Sequence, residues 1–232
     1  MVARDWDITP EAIEYQLMYP NHDTNYLLIE PLGRLLENDG FFAATNNELL
    51  GVLENCGELE FELMSYAWCE LVRRNKQGKI SIAERICEER DLMPIPWLVR
   101  ARNCLSHLDA PPKRSYTQSV YVILRDGYVS NNGYGMYVGV TSKTPEERFK
   151  EHKTPGHPRA ARGLPEHGIC LLKTLMYPYV KVPGNQKLRY ETATHLALSM
   201  CDAKISGDIQ NDYLNWLPDF QPKLMRALDA CG

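Results

Sequence analysis

The sequence lacks the features that define several protein classes. No apolar run approaches the roughly 18–20 residues that cross a bilayer, and the first residues hold no apolar core of a signal peptide. Its seven cysteines include no CxxC pair, so neither a zinc signature nor a disulfide framework is evident. Hydrophobic residues make up 44 % and charged residues 24 %, which excludes a wholly disordered chain. We therefore expect a soluble, cytoplasmic protein without a membrane partner.

Each half of the chain is poor in charge of one sign. Residues 1–110 hold 10 Lys and Arg against 19 Asp and Glu, whereas residues 111–232 hold 16 against 11. Such a split favours two modules, of which the basic one is suited to a polyanionic partner. Chance drift of surface charge along the chain is the alternative interpretation.

The first half of the sequence has the pattern of helices alone. Apolar residues recur at helical spacing in 59–71, and Ser81 and Glu84 have the spacing of a capping box. Helices are expected at 10–18, 24–38, 46–55, 58–74, 81–90 and 96–108. We predict an N-terminal all-α helical bundle over 1–108 and a linker at 109–118, where two prolines interrupt the pattern.

Beyond the linker the pattern changes to strands and helices. Residues 119–126 and 134–140 are rich in β-branched and aromatic residues, which predicts an antiparallel hairpin with a long loop. A third strand is expected at 169–180, and helices at 144–153, 159–167, 186–201 and 218–230. The prediction for 119–232 is an α+β domain with a small, mostly antiparallel three-stranded sheet flanked by helices.

Four motifs in this second half occur in an informative order. A Ser-Val-Tyr strand (119–121) precedes a Tyr-Val-Gly strand (137–139), a helix with Arg148 and a later helix with Glu191. Over roughly 117–208 this order resembles the GIY-YIG nuclease family. The first motif departs mildly from the family pattern, with Ser119 in place of Gly. Residues 203–206 also lack the Asn that many members carry after the Glu.

The resemblance implies a role for five residues, and the chemistry of phosphodiester hydrolysis agrees with it. Glu191 corresponds to the metal-binding glutamate, and a carboxylate suits Mg²⁺, or Mn²⁺. Arg148 corresponds to the catalytic arginine, whose fork of donors fits the phosphate. His152 lies one helical turn later on the same face, and with Tyr121 it is expected to activate water, which Tyr137 positions. Each residue taken singly is more often surface or packing, so the joint order carries the prediction.

Further residues are candidates for contact with the substrate. Gly139 leaves room for close approach of a phosphate, and Lys143 and Arg162 are the first choices for contact with the backbone. Three more basic residues flank the same helix: Lys150, Lys153 and Arg159. For each of these side chains, solvated surface charge is an equal alternative.

A second motif lies at the end of the helical half. Arg102 and Asn103 are followed by His107, a spacing that resembles the HEPN domain, whose active members cut RNA without metal at a dimer interface. Here His107 would act as acid or base, Arg102 would stabilise the phosphate oxyanion, and Asn103 would orient the imidazole. The alternative is structural: Arg102 pairs with Glu62 or Glu70, and His107 caps the helix C-terminus.

The sequence thus predicts a metal-dependent endonuclease that cleaves DNA, with RNA as a second candidate substrate. We expect a homodimer formed through the helical domain, which would carry two nuclease sites. Two alternatives remain open: a metal-independent ribonuclease or toxin that uses Arg102 and His107, and a non-catalytic adaptor that binds nucleic acid.

Overall fold

The structure is a computed structural model that describes residues 44–57, 60–108, 117–127, 133–176, 182–201, 203–207 and 221–231. The chain divides into two compact units, Met1–Pro96 and Trp97–Gly232. This division falls before the helix that carries Arg102, whereas the predicted linker follows that helix. Residues 109–116 of the predicted linker, and the helices predicted at 10–18 and 24–38, lie outside the described residues.

Helices are the regular structure of the first unit, as far as the structure describes it. They are α1 (Asn46–Asn55), α2 (Phe61–Arg73) and α3 (Gln77–Glu89). Helix α1 begins at a capping box between Thr45 and Glu48, in which each side chain bonds the other residue's backbone N–H. The predicted helix start at Ser81 is wrong, because α3 begins at Gln77 and the Ser81 hydroxyl donates to the Gln77 carbonyl, 3.1 Å away.

The second unit mixes helices and strands, and the predicted α+β class is confirmed at this level. Its elements are α4 (Leu98–Ser106), β1 (Ser119–Arg125), β2 (Gly135–Thr141), α5 (Pro145–Lys153), α6 (Leu164–His167), β3 (Gly168–Leu171), α7 (Lys173–Met176), a 3₁₀ turn (Gly184–Gln186), α8 (Lys187–Ser199), β4 (Lys204–Ser206) and α9 (Gln221–Cys231). Among the residues described in either unit, no helix has the length and apolar character needed to cross a bilayer.

The sheet has four strands in the order β3-β1-β2-β4, so the prediction of three strands is corrected. Strand β1 pairs antiparallel with β2 and with β3, as expected, but β4 adds a parallel partner to β2. The third predicted strand is also shorter, because β3 ends at Leu171 and helix α7 follows. Strand β4 is only three residues long, too short for an alternating pattern to reveal it.

The pairing of β1 with β2 decides which side chains share a face of the sheet. Tyr121 lies opposite Gly139, and Ile123 lies opposite Tyr137. Because strand side chains alternate between faces, Tyr121, Tyr137 and Gly139 belong to one face. Helix α5 packs against β1 and β3, while α8 packs against β1 and β2. The central strand β1 is buried from Ser119 to Leu124.

Candidate active site

Helix α5 holds two of the predicted site residues, and its local sequence explains where it starts. Thr144 is the N-cap, Pro145 occupies the first turn, and Glu147 completes a capping box with Thr144 at 3.2 and 3.0 Å. This predicted start is confirmed. Counted from it, Arg148 and His152 are four residues apart and lie on the same side of the helix.

The tyrosines of the two strands lie together above Gly139. The ring centroids of Tyr121 and Tyr137 are 6.1 Å apart, and the His152 ring lies 5.8 Å from the first and 5.4 Å from the second. A Cβ atom on Gly139 would lie 2.5 Å from the Tyr121 hydroxyl oxygen and 2.9 Å from Cε1 of Tyr137. A side chain at residue 139 would therefore force a tyrosine ring to move, because the rings approach the backbone closely.

His152 is completely buried, and both of its ring nitrogens have partners. Nδ1 accepts a hydrogen bond from the backbone N–H of Ala161 at 3.0 Å, and Nε2 lies 2.7 Å from the hydroxyl of Tyr121. Since Nδ1 accepts, the neutral ring carries its proton on Nε2 and donates it to Tyr121. Burial, together with the neighbouring Arg148 guanidinium, lowers the pKa of His152 to about 4. The imidazole is therefore uncharged at neutral pH.

Arg148 binds groups on three sides. Nη1 donates to Oε2 of Glu151 at 2.9 Å, and Nη2 donates to the carbonyl of Arg159 at 2.8 Å. The guanidinium also hydrogen-bonds the Tyr121 hydroxyl. The side chain is 17 % exposed, so it is largely enclosed while one side still reaches solvent. These contacts fix the guanidinium beside the tyrosine pair.

Tyr121 and Tyr137 differ in their environment. Tyr121 is 1 % exposed, and burial, followed by the nearby Tyr137, raises the pKa of Tyr121 well above its usual range. Tyr137 is half-buried and hydrogen-bonds Tyr121. Because the Tyr121 oxygen accepts from His152, its own proton is available for donation to Tyr137. Of the two hydroxyls, that of Tyr137 belongs to the more accessible residue.

Glu191 is buried at 7 % exposure on α8, the helix that packs against β1 and β2. Within the described part of the chain, no group of three or more His, Cys, Asp or Glu side chains is arranged to hold a metal ion. A single carboxylate nevertheless fits Mg²⁺, which retains waters and takes substrate phosphate oxygens as further ligands. The carboxylate of Glu191 supplies the hard oxygen ligands that such an ion prefers.

The basic residues near α5 fall into two groups. Lys143, Lys150, Arg159 and Arg162 are exposed. Lys153, by contrast, donates from Nζ to the carbonyls of Pro165 at 2.7 Å and Gly168 at 2.8 Å. The ammonium of Lys153 therefore joins α5 to the chain around α6 and β3.

The second motif lies on α4, within the second unit. Arg102 is half-buried, and its Nη1 lies 3.4 Å from the carbonyl of Thr174, while Asn103 is exposed. His107 follows the helix as its C-cap residue, the position that the structural alternative gives it. Glu70, one acidic partner suggested for Arg102, accepts hydrogen bonds from Arg73 and Arg74 within its own helix region.

Two contributors to the site were not found in the sequence. Glu151 binds both Arg148 and Lys143. The contact with Arg148 had a signal in the sequence, because opposite charges three residues apart on a helix lie close together. The backbone N–H of Ala161 orients His152, and a backbone group in a loop leaves no mark in the sequence.

The resemblance to GIY-YIG nucleases rests on the order of four motifs in the sequence. The contacts unite Tyr121, Tyr137, Arg148 and His152 in one cluster. Comparisons with protein-family models, with curated proteins and with solved structures found no match to this chain, so membership of that family stays a prediction.

Proposed function

We propose that this chain is a metal-dependent endonuclease of GIY-YIG type that hydrolyses phosphodiester bonds in DNA. The observation that supports it best is the cluster of Tyr121, Tyr137, Arg148 and His152 above Gly139. Three separate elements, β1, β2 and α5, contribute to this cluster. Such a convergence of hydroxyls and a guanidinium, with exposed basic residues nearby, fits a phosphate ester as substrate.

Within this proposal Arg148 is the catalytic residue that stabilises the charge on the phosphate in the transition state. A planar guanidinium donates two parallel hydrogen bonds to phosphate oxygens, which a lysine cannot do. Tyr137 is the hydroxyl that positions the attacking water, because it is more accessible than Tyr121. The metal ion that Glu191 would hold supplies charge stabilisation at the phosphate when it is bound.

The role first assigned to His152 is revised in this proposal. Its two nitrogens are engaged by Ala161 and Tyr121, and its ring is fully buried. A group without access to water is a poor general base. We therefore assign His152 as a positioning residue that holds the Tyr121 hydroxyl in place. The Tyr121 hydroxyl in turn contacts Tyr137 and Arg148, so His152 influences these two residues indirectly.

The test is cleavage of labelled duplex DNA and of labelled single-stranded RNA, each with Mg²⁺ and with EDTA. We expect the wild type to cut DNA only with Mg²⁺. Arg148→Lys should lower the rate by about 100-fold or more, the loss typical of a removed transition-state donor. Glu191→Gln should abolish cleavage, while Glu166→Gln, on an exposed residue of α6, should leave the rate unchanged.

Two results would contradict the proposal. A Glu191→Gln protein that still cuts DNA would remove the metal site from the mechanism. RNA cleavage that survives EDTA, and is lost in His107→Ala, would transfer the chemistry to the Arg102–His107 motif. Circular dichroism and thermal unfolding of each variant separate loss of chemistry from loss of fold.

A further inference from the structure

Glu151 bridges two cations of the proposed phosphate site. Its Oε2 accepts from Nη1 of Arg148 at 2.9 Å, and its Oε1 forms an ion pair with Nζ of Lys143. Arg148 belongs to α5, whereas Lys143 lies in the turn between β2 and α5, where its backbone N–H bonds the Thr141 hydroxyl. The carboxylate therefore joins two segments of the chain and is more than a surface pair along one helix.

The arrangement matches the recognition of a phosphodiester by two cations. A phosphodiester presents two unesterified oxygens that share one negative charge, and a carboxylate presents the same pattern. The Lys143 side chain is 45 % exposed and the Glu151 side chain 16 % exposed, so the pair is reached from solvent on the lysine side. Hydrogen bonds from Lys143 and then Arg148 lower the pKa of Glu151 to about 2, so it is ionised at neutral pH.

We propose that Glu151 occupies the phosphate position in the substrate-free protein and leaves it when a phosphodiester of the nucleic acid binds between Lys143 and Arg148. This inference rests on the proposed function, and in it Glu151 competes with the substrate phosphate for Lys143 and Arg148. A carboxylate and a phosphate carry like charge, so both cannot hold the two cations at once without repulsion. Glu151 thus weakens binding of every backbone phosphate that does not displace it.

The experiment measures binding of a fluorescent 20-base-pair DNA duplex in EDTA, which prevents metal-dependent cleavage. Glu151→Gln removes the charge and keeps the shape of the side chain. We expect its dissociation constant to fall by about tenfold relative to the wild type. Glu166→Gln removes one negative charge from an exposed position of the same unit, and we expect a change below about twofold, since salt screens exposed charges.

A double variant tests whether the gain acts through the named cation. If Glu151 competes for Lys143, the effect of Glu151→Gln should be much smaller when Lys143→Gln is already present. An equal gain in both backgrounds would overturn the bridging part of the proposal. It would mean that the charge of Glu151 acts only as general repulsion of DNA.

The opposite result is also informative. If Glu151→Gln binds DNA no more tightly than the wild type, while its thermal unfolding is unchanged, Glu151 serves to hold Arg148 in place and the proposal is wrong. This failure is distinguishable from failure of the proposed nuclease function. If the wild type cuts DNA with Mg²⁺ but Glu151→Gln binds DNA no more tightly than the wild type, only the proposal that Glu151 competes with phosphate is overturned. If the wild type never cuts DNA but Glu151→Gln binds it more tightly than the wild type, only the proposed nuclease function is overturned.

Discussion

The hydroxyl of Tyr121 lies 2.7 Å from Nε2 of His152, and both residues are almost completely buried. Because the other ring nitrogen accepts from the backbone N–H of Ala161, the histidine is held as a neutral donor toward the tyrosine. The pair is thus a fixed hydrogen-bonding unit beneath the more accessible Tyr137. Its properties lead to predictions about stability and about the pH dependence of cleavage.

Protonation of His152 should destabilise the fold at acidic pH. Burial lowers the pKa of His152 to about 4, below the value of 6.5 for an unperturbed histidine. Between pH 6.5 and 4 the unfolded state therefore binds more protons, and the free energy of unfolding falls as the pH falls. The contribution is at most about 3.5 kcal/mol, at about 1.4 kcal/mol per unit of pKa difference.

Urea unfolding at pH 7, 6, 5 and 4 measures this contribution. We expect the His152→Gln variant to lose less stability than the wild type over this range, because the variant lacks the titrating ring. The buried His195, whose pKa is also lowered by burial, is present in both proteins and cancels in the comparison. Parallel pH profiles for the two proteins would show that His152 is not held neutral in the fold.

Tyr121→Phe should slow cleavage without changing the shape of its pH profile. Because burial raises the pKa of Tyr121 well above its usual range, the phenol stays protonated between pH 6 and 9. The variant leaves donors of His152 and Arg148 without their acceptor, and we expect a rate about 10- to 100-fold lower. A limb of the wild-type pH–rate profile that disappears in Tyr121→Phe would instead identify Tyr121 as a titrating base.

Local signals predicted the parts of the site that depend on neighbouring residues. The capping box of Thr144 and Glu147 placed the start of α5, and with it the shared side of Arg148 and His152. These features needed only the periodicity of a helix. That Tyr121 and Tyr137 lie on one face of the sheet depends in addition on the register in which β1 pairs with β2, because a slip of one residue would move one of them to the other face.

Other features depend on contacts between distant segments, which the sequence pattern does not encode. Strand β4 is defined by its parallel pairing with β2, some 70 residues earlier, as Met136 pairs with Ile205. The hydrogen bond to Nδ1 of His152 depends on the loop that brings the backbone N–H of Ala161 within 3.0 Å of it. For that reason a base role was predicted for a histidine whose two ring nitrogens both have partners in the fold.

Lys150 and Lys153 should differ in their effect on nucleic-acid binding, although both are basic residues of α5. Lys150 is exposed, whereas the Lys153 ammonium is held by the carbonyls of Pro165 and Gly168. The slope of log affinity against log salt concentration is negative, and Lys150→Met should reduce its magnitude by about 0.9 if Lys150 contacts one phosphate of duplex DNA. Lys153→Met should leave the slope unchanged and cost about 1–3 kcal/mol of stability, since two carbonyls lose their donor. Equal loss of slope in both variants would contradict this assignment.

Gly139→Ala should disrupt the site through the smallest possible change. The added Cβ would lie 2.5 Å from the Tyr121 hydroxyl oxygen and 2.6 Å from its Cζ, distances that require one of the rings to move. Overpacking of this kind costs about 1–3 kcal/mol of stability. Displacement of the Tyr121 hydroxyl also removes the acceptor that His152 and Arg148 share, so cleavage should fall with it.

A matched alanine at Gly184 provides the control, because its Cβ would meet only Cγ of Gln118, at an ordinary 3.9 Å. We expect Gly184→Ala to cleave at the wild-type rate and Gly139→Ala to cleave at least about tenfold more slowly at a temperature where both remain folded. The rate is compared after thermal unfolding has established that temperature. Equal activity of the two variants would mean that the tyrosine rings relax away from residue 139 without consequence, and that their packing does not position the reacting groups.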